Sequence, residues 1–335
     1  MSSGNRSADP LISVIVPVFN EEENLEILAA RLASVMAAAR LRYELILVDD
    51  GSTDRSLDIM KALHAGNPHI RYVSFSRNFG HEAASSCGMA AATGDVAVLM
   101  DADLQDPPEL IPEMLERWRE GFDVVGARRR SRAGESLFKR ATSMLFYRLA
   151  NSLSEVEIPL DVGDFRLIDR VVVDAFNRFT ERNRFVRGLF SWVGFKRTEV
   201  EYDRPERYAG DTKYSTRKLM LLTLDALFSF TLVPIRLVGL FGLLVTLLSL
   251  VLVVVIAWQK FIGVLQIDGY ALLSTGLFFL GGTILLFLGV IGEYVGKIFQ
   301  EAQGRPLFLV KEASIESRDT TASLAATATH GEFVR

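Results

Sequence analysis

The chain has 335 residues, a formal net charge of −4 and one cysteine, Cys87. The slight acidity argues against a nucleic-acid binder, which carries a basic face, and a lone cysteine excludes an intrachain disulfide and fits a reducing compartment. Mean hydropathy is +0.23, high for a soluble protein, and this calls for a membrane segment.

Residues 1–10 are polar, lack the apolar run of a signal peptide and read as a flexible N-terminus. Leu11 to Phe19 is an apolar run of strand length, and Leu25, Leu28, Ala29, Leu32, Val35 and Met36 then recur at helical spacing. Tyr43 to Asp50 reads as a second strand and Asp54 to Ala65 as a helix with Asp54 as its N-cap. A third strand, Ile70 to Ser76, precedes a small-residue helix from His81 to Ala92. Val96 to Asp101 is a fourth strand, Pro107 and Pro108 open a helix, and Asp123 to Arg128 is a fifth strand.

Strands apolar throughout are buried on both faces of a mostly parallel sheet, so the fold class is α/β, doubly wound. Ligands of such sheets bind beyond the carboxyl ends of the strands. Four of those ends are polar here: Asn20-Glu21-Glu22, Asp49-Asp50, Arg77-Asn78 and Asp101-Ala102-Asp103. Neither a G-x-G-x-x-G after the first strand nor a G-x-x-x-x-G-K-[ST] is present, which removes the main support for dinucleotide-binding and P-loop readings.

Asp101, Asp103 and Gln105 place hard oxygens at alternating positions after a strand, and Mg2+ and Mn2+ prefer oxygen ligands. Breaking the anomeric C–O bond of a sugar diphosphate needs the leaving charge neutralised, by such a cation and by basic residues. Arg128, Arg129, Arg207 and Lys213 are the candidates, against a surface or headgroup role for each.

Two C-terminal runs are uncharged, Leu237 to Trp258 and Tyr270 to Gly292. At ~1.5 Å per residue the first reaches ~33 Å, enough for a ~30 Å hydrocarbon core. Arg204, Arg207, Lys213, Arg217, Lys218 and Arg236 precede the pair and Lys297, Arg305 and Lys311 follow it, whereas the connecting loop holds only Lys260 with Asp268 nearby. By the positive-inside rule both termini and the α/β domain are cytoplasmic. Gly292 and Gly296 have a small-xxx-small spacing that serves either close helix packing or nothing beyond an ordinary membrane helix. Glu135 to Ser152 and Ser215 to Thr231 mix apolar and basic residues, and read either as interfacial helices on membrane lipids or as helices packed on the core. The expected organisation is an α/β domain over 11–214, a juxtamembrane helix over 215–231, two spans within 232–295 and a tail over 296–335 that ends in disorder.

Four blocks carry a family resemblance: Pro17-Val18-Phe19-Asn20-Glu21-Glu22, Val48-Asp49-Asp50-Gly51-Ser52-Thr53-Asp54, Ser76-Arg77-Asn78-Phe79-Gly80 and Asp101-Ala102-Asp103-Leu104-Gln105-Asp106-Pro107-Pro108-Glu109. They resemble family 2 glycosyltransferases, and within them the branch that glycosylates dolichyl or undecaprenyl phosphate. The resemblance spans roughly residues 10 to 310. It implies a GT-A fold and an inverting, metal-dependent transfer from a nucleotide-sugar donor to a polyprenyl phosphate, and it admits a homo-oligomer. By it, Pro17, Asn20, Glu22, Asp49 and Ser52 contact the nucleotide, Asp101 lies by the donor, and Asp103 with Gln105 holds the metal. Gly163 to Leu167 resembles the acceptor-side motif, which makes Asp164 the catalytic-carboxylate candidate, and Asp101 and Arg128 complete the catalytic candidates. Arg207 to Tyr214 resembles the phosphate-contacting basic loop, with Thr212 where the family has serine. His81 and Glu82 stand where related sequences vary, and no role follows for either.

Two rivals remain at this level. A processive polysaccharide synthase resembles the same fold but carries a Gln-x-x-Arg-Trp motif, absent here, and more spans. A non-catalytic membrane scaffold that binds sugar nucleotides would have no need of Asp101, Asp103, Gln105 and Lys213.

Overall fold

The computed structural model describes residues 6–130, 162–182, 184, 186–203, 233–262 and 270–314. They fall into two units, an α/β unit that takes in the chain from Gly304 onward and a helical unit before it.

The α/β unit is built on one sheet of eight strands: β1 (Leu11–Val18), β2 (Arg42–Asp49), β3 (Ile70–Phe75), β4 (Val96–Leu99), β5 (Val124–Arg129), β6 (Val162–Asp169), β7 (Arg197–Tyr202) and β8 (Val310–Ala313). Their order across the sheet is β7-β5-β6-β4-β1-β2-β3-β8. The centre, β3-β2-β1-β4, is parallel as its apolar runs require, and β5 and β7 are parallel to each other. β6 runs antiparallel between β4 and β5, and β8 antiparallel along the outer edge of β3. The helices of this unit are α1 (Leu25–Ala38), α2 (Ser56–Gly66), α3 (His81–Ala91), α4 (Ile111–Arg119), α5 (Arg170–Asn177) and α6 (Val186–Trp192).

Both faces of the sheet are buried. Ile12, Val14 and Val16 of β1 point to one layer, with Leu25, Leu28, Leu32 and Met36 of α1. Ile15 points to the other, with Ala83, Ala84 and Cys87 of α3. Burying a side chain of that size contributes about 1.5–3 kcal/mol. The small residues of α3 have a packing reason: a Cβ on Gly88 would come within 2.1 Å of Ile15 Cγ2, so this helix lies almost on the strand. A bulkier helix would stand further off and lift its N-terminus, where His81 sits, away from the sheet edge.

The predicted elements lie where the sequence places them, with small shifts at their ends. The expected cap Asp54 lies just outside α2, which Arg55 precedes directly, but its Oδ1 still accepts the Ser56 N–H at 3.0 Å. Pro108–Leu110 is a 3-10 turn, and α4 begins only after it.

The helical unit holds α7 (Val233–Phe261) and α8 (Tyr270–Ala302), which cover the two expected spans. Among the described residues, one stretch, Phe279–Ala302, is long and apolar enough to cross a membrane. The helices touch where the Phe241 and Phe287 rings meet edge to face at 6.0 Å. A Cβ on Gly292 or Gly296 would meet nothing within 4 Å among the described residues, so the small-xxx-small pair is not used in that contact. Glu135 to Ser152 and Ser215 to Thr231 lie outside the described residues.

Candidate active site

The parallel strands end together, and their loops are tied to one another. Asn20, in the left-handed region at φ 55°, donates its N–H to Ser52 Oγ at 3.0 Å. Its side-chain oxygen accepts the Thr53 N–H at 2.8 Å. Glu22 accepts the Arg55 N–H at 3.0 Å, and Asp54 accepts the Glu22 N–H at 3.2 Å. Asp49, fully buried, accepts from the Ser52 N–H at 2.9 Å and from the Ser74 hydroxyl at 2.7 Å. Pro17, buried one residue before the end of β1, pairs in register with Val48. Four of the five predicted nucleotide contacts, Asn20, Glu22, Asp49 and Ser52, therefore belong to one hydrogen-bonded double loop, and Pro17 ends the strand beneath it.

The third loop is locked to the second. A Cβ on Gly51, at φ 69°, would lie 2.4 Å from the Arg77 carbonyl carbon, so only glycine fits there. Asp50 receives the N–H groups of Phe79 at 2.6 Å and Gly80 at 2.9 Å. Burial pushes its carboxyl above the usual range and the neighbouring Asp49 adds to this, against the pull of those two donors.

The fourth loop carries Asp101, Asp103 and Gln105. Leu104 is held at φ 61°, a conformation rare for a branched residue. Asp106 fixes the turn from below: it accepts the Asp101 N–H at 3.1 Å and the Tyr202 hydroxyl at 3.2 Å. Asp103, 8% exposed, accepts the Gln105 N–H at 3.2 Å. The donors are all oxygen and the loop is braced by strain and hydrogen bonds, so these residues fit a Mg2+- or Mn2+-type ion.

Asp164 reaches this loop through strand register. β4 and β6 are antiparallel, with Leu99 opposite Arg166. Continued two residues further, that register sets Asp101 against Asp164. Between them stands His81, the first residue of α3. Its Nε2 lies 3.6 Å from Asp164 Oδ2 and 3.9 Å from Asp101 Oδ1. The ligand atoms of the three side chains all lie within 4.8 Å of one another. Burial works against a charged imidazole, but Asp164, Asp101 and Glu82 outweigh it and raise the His81 pKa to about 9. His81 is thus the site residue that sequence reasoning left without a role. The signal that could have found it was its position directly after a Gly80 turn at the end of a buried strand.

The basic residues are distributed differently. Arg128 is on β5 and its partner among the described residues is Glu199, at 3.4 Å. Arg207 and Lys213 lie outside the described residues, and of Arg129 only the backbone is described.

A largely parallel α/β sheet whose carboxyl edge gathers acidic loops around a braced Asp-x-Asp turn is the architecture of a GT-A-like glycosyltransferase. The family model for glycosyl transferase family 2 matches residues 13–176. A Bacillus subtilis (strain 168) protein called uncharacterized glycosyltransferase YkcC is 45% identical over 90% of this chain and 93% of its own length. The prophage bactoprenol glucosyl transferase homolog of Escherichia coli (strain K12) is 39% identical over 90% of this chain and 98% of its own. Among solved structures, glucosyl-3-phosphoglycerate synthase from Mycobacterium tuberculosis is 20% identical, with a TM-score of 0.45, over 67% of this chain and 79% of that one. The chain belongs to glycosyltransferase family 2.

Proposed function

We propose that this glycosyltransferase moves one sugar from a UDP- or GDP-sugar to a polyprenyl phosphate, inverting the anomeric centre with the help of Mg2+ or Mn2+. The observation that carries the reading is the meeting of Asp101 and Asp164 at the carboxyl edge of the sheet. It is supported by similarity to proteins named bactoprenol glucosyl transferases over 98% of their length.

In this reading Pro17, Asn20, Glu22, Asp49 and Ser52 take the nucleotide, on the double loop that holds the last four of them. Asp103 and Gln105, with Asp101, hold the metal, which when bound neutralises charge on the leaving diphosphate. Arg128, Arg207 and Lys213 contact phosphates. The acceptor phosphate has a second pKa of about 6 and is largely ionised at neutral pH. It can attack the anomeric carbon without losing a proton, so Asp164 orients the acceptor rather than acting chiefly as a base.

The same reading puts the protein in the cytoplasmic membrane. α7 and α8 are its two spans and both termini are cytoplasmic. The lone Cys87 is buried, so labelling of a cysteine introduced at Lys260 by an impermeant reagent from outside the cell tests this topology, and labelling only after the membrane is opened would overturn it.

The direct test is a panel of nucleotide sugars given to the purified full-length protein with undecaprenyl phosphate and Mg2+ or Mn2+, scored for lipid-linked sugar. One donor of the panel should give product. Donor hydrolysis without lipid product, or polymer formation, would overturn the acceptor assignment.

A further inference from the structure

Asp164 stands in an interruption of its own strand. The β5–β6 ladder runs residue for residue from Val124 opposite Ile168 to Gly126 opposite Arg166, and then pairs Arg128 with Val162. Between those last two pairs β5 has one residue, Ala127, and β6 has three, Gly163, Asp164 and Phe165. The pairing of β6 with β4 also ends at Arg166, opposite Leu99. A bulge of this kind bends its strand, re-aims a side chain and takes main-chain groups out of the ladder. A buried carbonyl taken out of a ladder needs another donor.

Arg166 supplies that donor from the same strand. Its Nη2 donates to the Gly163 carbonyl at 2.8 Å and its Nε to the Asp164 carbonyl at 3.3 Å. These two carbonyls belong to the peptide groups on either side of the Asp164 Cα. Fixing both fixes φ and ψ of Asp164, and with them the direction in which its side chain leaves the backbone. Nη2 also stands 3.9 Å from Asp164 Oδ1, so the guanidinium charge faces the carboxylate as well.

The arginine is itself held. It is buried, and its guanidinium carbon lies 4.9 Å from the centre of the Phe190 ring of α6. Phe190 in turn stacks on Phe176 of α5 at 5.1 Å. On the opposite face of the sheet the fully buried Phe165 meets the Tyr202 ring edge to face at 6.2 Å. The Tyr202 hydroxyl donates to Asp106, the residue that also receives the Asp101 N–H. The residues that follow Asp164 thus pin the bulge into both layers of the core. An arginine that served packing alone would have no need of the two peptide groups that flank this one aspartate.

We infer that Arg166 is a positioning residue of the transfer: its guanidinium grips the two peptide groups that flank Asp164 and so aims the Asp164 carboxylate at the acceptor. The inference rests on the reading in which Asp164 orients a polyprenyl phosphate. The grip needs the arginine fork. A lysine keeps the charge, but its ammonium is a point donor and does not span two carbonyls in one plane.

The test uses the full-length protein in detergent or nanodiscs, undecaprenyl phosphate and the donor that the panel selects. Rates are counted per nucleotide-binding site, so that unfolded molecules do not enter kcat. Arg166→Ala should lower kcat about 10- to 100-fold and leave the KM for the donor within about twofold, as a misaimed group does while the nucleotide loops keep their own hydrogen bonds. Arg166→Lys should stay within about threefold of the alanine variant. On an Asp164→Ala background Arg166→Ala should cost nothing further, because the side chain through which it acts is gone. Wild-type kcat per site in Arg166→Ala, full recovery in Arg166→Lys, or losses that multiply on Asp164→Ala would each overturn the inference. Should Arg166→Ala fail to fold, Arg166→Lys decides: a loss on the wild type that vanishes on Asp164→Ala supports the grip, and any other pattern overturns it. Wild-type turnover in Asp164→Ala, or a wild type that makes no lipid-linked sugar, would instead remove the reading on which the inference stands.

Discussion

Gly51 rests on the backbone of Arg77 with no room for a side chain between them. The contact joins the loop that follows β2 to the loop that follows β3. Gly51→Ala would place a methyl 2.4 Å from the Arg77 carbonyl carbon and force an alanine to φ 69°. We expect a loss of about 3 kcal/mol in stability with donor binding weakened as well. Denaturant unfolding together with nucleotide titration checks both. An unchanged midpoint would mean the two loops are free to part.

Removal of Asp103 tests the metal. Asp103→Ala should abolish the dependence of rate on Mg2+ or Mn2+ and lower kcat by about 10²–10³, the range of a lost electrostatic stabiliser. The measurement is the initial rate against free metal, with a chelator control. A variant with wild-type rates would remove Asp103 from the metal's ligands.

Asp164 separates base from positioning chemistry. Removing a general base typically costs 10²–10⁴ in rate. With an acceptor already ionised, Asp164→Asn should lose only about 10- to 100-fold. Turnover falling below 10⁻⁴ of wild type with both substrates still bound would restore the base role.

Glu44 makes stability depend on pH at a point remote from the site. Burial opposes its charge, but Ser13, Thr93 and Arg71 all donate to it, and its carboxyl titrates below the ordinary value of 4.5. A depressed pKa means the ionised form stabilises the fold above pH 4.5, and that this stability is lost as the pH falls from there through the folded-state value. Glu44→Gln should be about 1–3 kcal/mol less stable at pH 7 and should lose less than wild type on acidification. Unfolding curves at pH 7 and pH 4 show whether the two proteins converge.

Phe308 tests the edge of the sheet. Its ring stacks on Phe75 at 4.8 Å, and Phe75 meets Phe79 edge to face at 5.8 Å, next to the N–H groups held by Asp50. Phe308→Ala should cost about 2–3 kcal/mol and also slow the enzyme, since the chain of rings ends at the turn that carries His81. Full activity in a destabilised variant would show that the rings support the sheet alone.

What the sequence disclosed, and what it did not, has a physical basis. β1 to β4 were readable because they are buried on both faces, so their apolar runs are uninterrupted. β6 carries Asp164 and Arg166 within it, and Arg166 is tolerated at 5% exposure because backbone carbonyls and the Phe190 ring receive it. No local pattern announces a strand whose polar residues are satisfied by tertiary partners. β8 is mostly exposed and reads Val-Lys-Glu-Ala; it is a strand because the edge of β3 offers it hydrogen bonds. The loops after β1 and β2, which hydrogen-bond to one another, were legible from their motif residues. His81 was not, because its partners on the β4 loop and β6 are brought to it by register and helix packing.

The closing strand also sets an order of assembly. β3 can form early in synthesis, but the partner for its free edge, β8, is translated only after α7 and α8. At about 5–20 residues per second, that edge waits for a time on the order of half a minute with its N–H and C=O groups unpaired. An exposed edge is a template for wrong pairing. A chain stalled or cut before Val310 therefore presents an aggregation-prone face, and the finished glycosyltransferase domain exists only once both long helices have left the ribosome.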